Sequence, residues 1–372
     1  MIPIAKPLLG EEEKRAVLEV LESGMLAQGK KVAEFEQEFA KFIGVRQAIA
    51  TSNGTTALHA ALLAHGITTG DEVITTPFSF IATANTIRMV GATAVFVDID
   101  EKTFNIDAQL IEAAITPKTK AILPVHLFGL PAPLDTIQAL AHKYGLVIIE
   151  DACQAHGAEF QGRKVGSFGT GCFSFYPTKN MTTGEGGMIT TNDHKIAKKI
   201  RKIINHGSEQ KYIHSGLGYN YRMTDLAAAI GIEQLKKLPA FNQKRREHAA
   251  ILTKQLASLP GLVVPELVTG HVFHQYTIRV TEEGVGKEGI RKMRKRDELA
   301  AQLHQHGIAT NVYYPLAIHQ QQAYAHYPQR SFPVTEKVSR EVLSLPIHPA
   351  LTEDELFTII NLIKEVAGRN ET

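Results

Sequence analysis

An α/β fold is what this sequence predicts, and two features of its apolar pattern predict it. From about residue 45 to 205, short apolar runs of strand length alternate with amphipathic stretches of helix length. That alternation builds a largely parallel sheet covered by helices on both faces. Beyond about residue 235 the pattern changes to one long amphipathic stretch followed by isolated strand and helix signals, which predicts a smaller C-terminal α+β domain. The expected division is a large domain over residues 1–235, N-terminal segment included, and a small domain over 236–372.

The elements follow in order. Ala48-Ile-Ala50 reads as a strand ahead of a helix opening at Thr55, whose buried face is the apolar run 57–63. Glu72-Val-Ile-Thr75 precedes a helix over 82–89. Ala94-Val-Phe-Val97, Ala121-Ile-Leu-Pro-Val125 and Leu146-Val-Ile-Ile149 are further strands between helical segments. In such sheets ligands gather beyond the carboxyl ends of the strands, and Asp151 lies just past one of them. In the C-terminal part, 235–259 reads as a single helix and 272–280 alternates like a strand. A charged helix covers about 291–306, 308–314 is another strand candidate, and 354–366 is the last helix.

Composition excludes several classes of function. Forty basic residues against 38 acidic ones leave no global field for nucleic acid or a membrane surface. The basic run at 287–296 lacks interleaved aromatic residues and reads as the solvated start of a helix. No stretch reaches the roughly 18 apolar residues of a membrane helix. Met1-Ile-Pro-Ile-Ala-Lys6 lacks the apolar core of a secretory signal. Cys153 and Cys172 fit no metal spacing, and so few cysteines point to a reducing, cytoplasmic setting.

The chemistry concentrates in two segments. Asp151 stands in Glu150-Asp-Ala-Cys-Gln-Ala-His-Gly157, and Lys179 follows 28 residues later in Ser174-Phe-Tyr-Pro-Thr-Lys-Asn180. Pyridoxal phosphate chemistry needs such a pair: an amine to hold an aldehyde as a Schiff base, and a carboxylate to keep a pyridine nitrogen protonated. Ser52-Asn-Gly-Thr-Thr56 sits between a strand and a helix, where free amides and hydroxyls make an anion site, although an ordinary helix cap has the same composition.

These segments and others resemble the DegT/DnrJ/EryC1/StrS sugar aminotransferases, which are fold-type I pyridoxal-phosphate enzymes. The likeness covers nearly the whole chain. It runs through Gly24-Met-Leu-Ala-Gln-Gly29, Ser52-Asn-Gly-Thr-Thr-Ala-Leu58, Gly70-Asp-Glu-Val-Ile74, Phe78-Ser-Phe-Ile-Ala-Thr-Ala-Asn85 and Pro124-Val-His-Leu-Phe-Gly129. It continues past the Asp151 and Lys179 segments to Gly218-Tyr-Asn-Tyr-Arg-Met-Thr-Asp225 and Val342-Leu-Ser-Leu-Pro346.

The resemblance implies pyridoxal 5′-phosphate as cofactor, with Lys179 and Asp151 catalytic. It implies Gly54, Thr55 and Ser174 at the phosphate, Phe80 (with Phe78 as competitor by register) on the ring face, and Gln154 near the ring hydroxyl. Asn220 matches a residue that reaches the phosphate of a neighbouring subunit, which implies a homodimer with shared sites; Arg222 supports that loop. His156 is a candidate to hydrogen-bond Asp151. Gln28, His206, Tyr313 and His319 match segments on the sugar and nucleotide side, and the basic stretch 195–202 is a candidate for the diphosphate. The implied reaction moves an amino group, with glutamate as donor, to C3 or C4 of a nucleotide-linked keto sugar, for amino-sugar, surface-polysaccharide or glycoside biosynthesis. Two other readings stay open. A dehydratase-like branch that deoxygenates sugars carries histidine at the lysine position, and some relatives bear a regulatory name.

Overall fold

The computed structural model of the protein describes residues 1–281, 295–327 and 330–369. Two helices come first, α1 (Glu11–Ser23) and α2 (Lys30–Ile43). Three glutamates in the first turn of α1 complement its dipole, and Gly24 ends it at φ 68°, a left-handed position that glycine takes without strain. The α/β part then runs β1 (Gln47–Thr51), α3 (Gly54–Ala64), β2 (Glu72–Thr75), α4 (Ala82–Met89), β3 (Thr93–Phe96), α5 (Ala108–Ile111), β4 (Thr119–Ile122), α6 (Leu134–Tyr144) and β5 (Val147–Asp151). A small hairpin, β6 (Glu159–Phe160) and β7 (Arg163–Lys164), leads to β8 (Thr170–Ser174), β9 (Gly187–Thr191) and α7 (His194–Ile203). A second hairpin, β10 (Ser208–Gln210) and β11 (Ile213–His214), precedes the long helix α8 (Asp225–Leu256). The remainder is β12 (Leu262–Val263), β13 (Tyr276–Val280), α9 (Lys295–Gln305), α10 (Pro333–Glu341), β14 (Val342–Leu345) and α11 (Glu353–Arg369).

Seven strands form one sheet in the order β1-β9-β8-β5-β4-β2-β3. The pairs β2–β3, β2–β4, β4–β5 and β5–β8 are parallel, and β9 alone runs against its neighbours β8 and β1. The predicted mostly parallel sheet is therefore present. Period-two alternation sends neighbouring residues to opposite cores. Ile49, Val73, Ala121, Ile149, Cys172 and Ile189 join α3, α4 and α7. Ala48, Ala50, Phe173 and Met188 join α2 and α8, while Ile74, Ile122 and Ile148 pack with α5 and α6. A separate core of residues from 249 to 366 covers the three-stranded sheet β12-β13-β14.

Three sequence expectations change. Strands β8 and β9 escaped notice because Thr170-Gly-Cys-Phe-Ser174 and Gly187-Met-Ile-Thr-Thr191 mix glycine and threonine into their apolar residues. The long helix begins ten residues before the expected 235, at an N-cap where Thr224 accepts the Ala227 amide, and runs on through Pro239. Its first half joins the core under the main sheet and its last turns join the C-terminal core. Residues 308–314 form no strand. Ile308 bridges Ile2 and Asn311 bridges Ser344, single contacts that carry the segment across β14. The basic run 287–296 lies outside the described residues apart from Lys295 and Arg296, and the expected helix near 291–306 is seen as α9. Among the described residues no helix is long and apolar enough to cross a membrane, and no cluster of His, Cys, Asp or Glu could hold a metal ion.

Candidate active site

The carboxyl ends of β1, β2, β5 and β8 lie on one edge of the sheet, and most of the candidate residues follow from them. Glu150 and Asp151 close β5 and point to opposite faces. Glu150 is fully buried and accepts the amides of Gly166 (2.7 Å), Phe168 (2.8 Å) and Gly169 (2.9 Å). Its fourth partner is His126, whose Nδ1 accepts the Ala132 amide, so the proton on Nε2 donates to Glu150 at 3.1 Å. Glu150 is thus occupied in holding the loop before β8. Asp151 turns to the face covered by α3 and α4. The Thr83 hydroxyl donates to its Oδ2 at 2.7 Å, and the Cys153 amide to its Oδ1 at 3.2 Å.

Register sets an anion cradle beside it. Thr51, Gly187 and Ser174 pair across β1, β9 and β8, so the chain leaving β1 enters α3 next to Ser174. A methyl group on Gly54 would lie 2.7 Å from Ser174 Cβ and 2.9 Å from Cys153 Sγ, so only glycine lets the helix start this close. The Asn53 side chain caps the Thr56 amide at 2.9 Å. The amides of Gly54 and Thr55, in the first turn, have no helical carbonyl to serve and are left free to bind an anion.

Lys179 lies five residues past the end of β8, in a turn closed by its amide on the Tyr176 carbonyl at 2.9 Å. The next residue, buried Asn180, donates to Asn242 Oδ1 (2.8 Å) and to the Val272 carbonyl (3.0 Å), which pins the turn to α8. The atoms packed around the Lys179 amine lower its pKa. The nearby Asp151 charge pulls the other way without reversing the shift. The charged form is thereby made costlier relative to the neutral, nucleophilic one. Burial and the Asp151 charge push the Cys153 thiol up, which keeps it protonated.

The structure separates the two phenylalanines that sequence left in competition. Phe78 is fully buried among Phe104, Phe128 and Tyr314. Phe80 is 57% exposed, and its carbonyl accepts the Thr83 amide, so a free aromatic face stands one turn from the residue that grips Asp151. Gln154 is buried, with Oε1 accepting the Phe128 amide (2.8 Å) and Nε2 donating to the Tyr314 hydroxyl (3.0 Å). That bond brings the C-terminal part of the chain to the site. His156 does not reach Asp151. Five residues on, the chain has turned to the α2–α8 side, where its ring packs on Phe173 and Phe175 with neither nitrogen hydrogen-bonded. Burial, with the Lys179 charge adding to it, pushes it down to about 3.

No hydrogen bond links Asn220 or the four sugar-side candidates to Lys179 or Asp151. Gln28 is half-buried in the loop before α2, a helix whose start is gripped by the buried Asp225 carboxylate through the amides of Gly29, Lys31 and Val32. His206 and Asn220 are exposed, and Arg222 braces their loop through Asn205 at 2.7 Å. The Tyr221 carbonyl accepts the Ser52 amide, so the turn carrying Asn220 lies against the entry to α3. Tyr313 is half-buried beside Tyr314. His319 is buried against Phe332, with Nε2 3.2 Å from Glu336. The basic stretch became α7, where Arg201 pairs with Glu36 (2.9 Å) and Lys202 with Glu209 (2.9 Å).

Sequence reasoning missed Thr83 and Asn180 as builders of this site, and placed Tyr314, with Tyr313, only on the sugar side. The one available signal for Thr83 was its spacing of three from Phe80, which places both on one side of a helical turn. As a whole the geometry fits pyridoxal phosphate: an amide-lined helix start beside a serine for the phosphate, an exposed ring face, a held carboxylate and a desolvated lysine.

Comparison with known proteins agrees. The model of the DegT/DnrJ/EryC1/StrS aminotransferase family matches residues 7–364. A Geobacillus stearothermophilus protein named pleiotropic regulatory protein is 46% identical over 365 residues, 96% of this chain and 95% of that one. The UDP-N-acetyl-3-dehydro-alpha-D-glucosamine 3-aminotransferase of Acidithiobacillus ferrooxidans is 43% identical over 360 residues, 96% and 94% of the two chains. The solved structure of NtdA from Bacillus subtilis, with bound cofactor PMP, superposes with a TM-score of 0.88 at 35% identity, covering 96% of this chain and 82% of that one.

Proposed function

The chain belongs to the DegT/DnrJ/EryC1/StrS aminotransferase family and is a fold-type I, pyridoxal-phosphate-dependent enzyme, and from that premise we propose that it transfers an amino group from glutamate to a keto group of a nucleotide-linked sugar. The observation that carries the reading is the convergence of Lys179, Asp151 and the start of α3 on one edge of the sheet. The acceptor class rests on likeness to the A. ferrooxidans enzyme, whose name puts the keto group at C3; C4 is the alternative.

In this reading Lys179 holds the cofactor covalently, Gly54, Thr55 and Ser174 hold its phosphate, Phe80 its ring face, Gln154 the side of its ring hydroxyl and Asp151 its ring nitrogen. When bound, the cofactor acts as an electron sink for the donor's α-carbon. The amine of Lys179, released when donor binds, takes the proton from that carbon. In the return half-reaction Lys179 delivers a proton to the sugar carbon that becomes the amine-bearing centre. Gln28, His206, Tyr313 and His319 line the sugar and nucleotide side. Residues 1–235 and 236–372 act as a large and a small domain. Support for two units comes from the separate C-terminal core, although α8 runs unbroken across the boundary. Free thiols at Cys153 and Cys172 favour a cytoplasmic setting.

A panel of nucleotide-linked 3-keto and 4-keto sugars with glutamate, read by mass spectrometry, tests the function. A product heavier by the exchange of oxygen for an amino group is expected with at least one 3-keto acceptor. Conversion of none, by protein carrying its cofactor, would overturn the acceptor class. Lys179 argues against deoxygenation, and cofactor absorbance in the purified protein would argue against a purely regulatory role.

The site is shared in a homodimer, with Asn220 of each subunit reaching the partner's phosphate site; its exposure in the single chain is consistent with that role. Mixing Asn220→Ala with Lys179→Ala subunits should regenerate one intact site per heterodimer and recover up to half of wild-type turnover. Verified heterodimers no more active than the mean of their parents would place both residues in one subunit's site.

A further inference from the structure

We propose that Thr83, backed by Ser79, is a positioning residue that holds Asp151 so that the shared proton sits on the cofactor's ring nitrogen rather than on the carboxylate. The proposal rests on Asp151 facing that nitrogen, as read above. Thr83 and Ser79 are 1% and 4% exposed, so neither hydroxyl has bulk water as an alternative partner. A carboxylate can only accept, so the one proton of the Thr83 hydroxyl goes to Asp151 Oδ2 at 2.7 Å. Thr83 must then accept, and the Ser79 hydroxyl donates to it at 2.9 Å. The chain of bonds has one direction, Ser79 to Thr83 to Asp151, and each donation polarises the next toward the negative charge.

Together with the Cys153 amide on Oδ1, this chain fixes the plane of the carboxyl group and stabilises its charged form. A charged, oriented carboxylate leaves the proton on its ring partner, which the electron sink requires. Thr83 occupies the same helical turn as Phe80, so a single short segment sets both the ring's flat contact and its nitrogen's partner.

The test reconstitutes the protein with pyridoxal phosphate labelled with ¹⁵N in the ring and follows the ring-nitrogen resonance with pH, alongside cofactor titration of the apoprotein by fluorescence. Thr83→Val keeps the shape and removes the hydroxyl. It should move the resonance toward the unprotonated position and raise the cofactor Kd about tenfold, the scale of one lost hydrogen bond to a charged group. Thr83→Ser should restore both, which recovery of packing alone would not do for the resonance. Ser79→Ala should move the resonance in the same direction by less. A wild-type resonance in Thr83→Val, or a Thr83→Ser that behaves like Thr83→Val, would overturn the proposal. If Thr83→Val does not fold, an unmoved resonance in Ser79→Ala overturns it. Asp151→Asn separates the two readings. If that variant leaves the resonance in place, the assignment of Asp151 itself fails; if it moves the resonance while Thr83→Val does not, only Thr83 does.

Discussion

Lys179→Ala should lower turnover by about 10⁴-fold or more, the upper end of what a proton-transferring group contributes, because the change removes both the tether and the proton carrier. Borohydride reduction of the wild-type protein should leave the cofactor on a peptide containing Lys179, and the variant should give no labelled peptide. A label on another lysine would move the assignment. The fold should survive. Burial lowers the Lys179 pKa, which means that the folded state bears the charged amine at a cost. Unfolded chains then bind more protons at this site than folded ones in the window between the lowered value and 10.5, so wild-type stability rises with pH there. Alanine removes the cost. The apoprotein of the variant should unfold no lower than wild type at neutral pH, and any gain should fade as pH rises toward 10.5. Thermal unfolding across that range measures it.

Asp151→Asn should cost at least about 10² in kcat, the scale of a lost electrostatic or acid–base group. The substitution keeps the shape of the side chain: its single amide oxygen can still accept from the Cys153 amide, while its NH2 takes the place of Oδ2 and donates to the Thr83 hydroxyl, so the fold and the approach of α4 should be preserved. It removes the negative charge that keeps a ring proton in place. Steady-state rates at saturating donor, compared with apoprotein unfolding, separate the chemical loss from a structural one. Turnover near wild type would mean that another residue faces the ring nitrogen.

Much of this site was legible in the sequence, for local reasons. The Asp151 and Lys179 segments are contiguous stretches of unusual composition, and the phosphate cradle is an ordinary strand–turn–helix junction whose capping residues are read in order from Ser52 to Thr56. Phe78 and Phe80 could not be told apart because period two places both on the same side of an extended chain. The structure adds a turn after Phe78 that buries one ring and exposes the other. The Asp151–His156 contact failed for a related reason. The five residues of turn from 152 to 156 carry no periodicity, so nothing local says which face of the sheet the histidine reaches.

The sequence by itself determined the fold class, the order of the strands from β1 to β5 and the family likeness, and it pointed to the pair Asp151 and Lys179, because apolar period and short motifs are properties of neighbouring residues. Only the tertiary structure decided which partners hold those groups. Thr83 meets Asp151 across 68 positions, Asp225 caps α2 across 193, and Asp98 caps α10 through the Thr335 amide across 237. Each is a polar group removed from water, and a buried polar group takes whatever complementary group the packing of distant elements brings to it. That choice depends on how the strands order themselves, β1-β9-β8-β5-β4-β2-β3, and such an order is a property of the assembled sheet, absent from any one stretch of the chain.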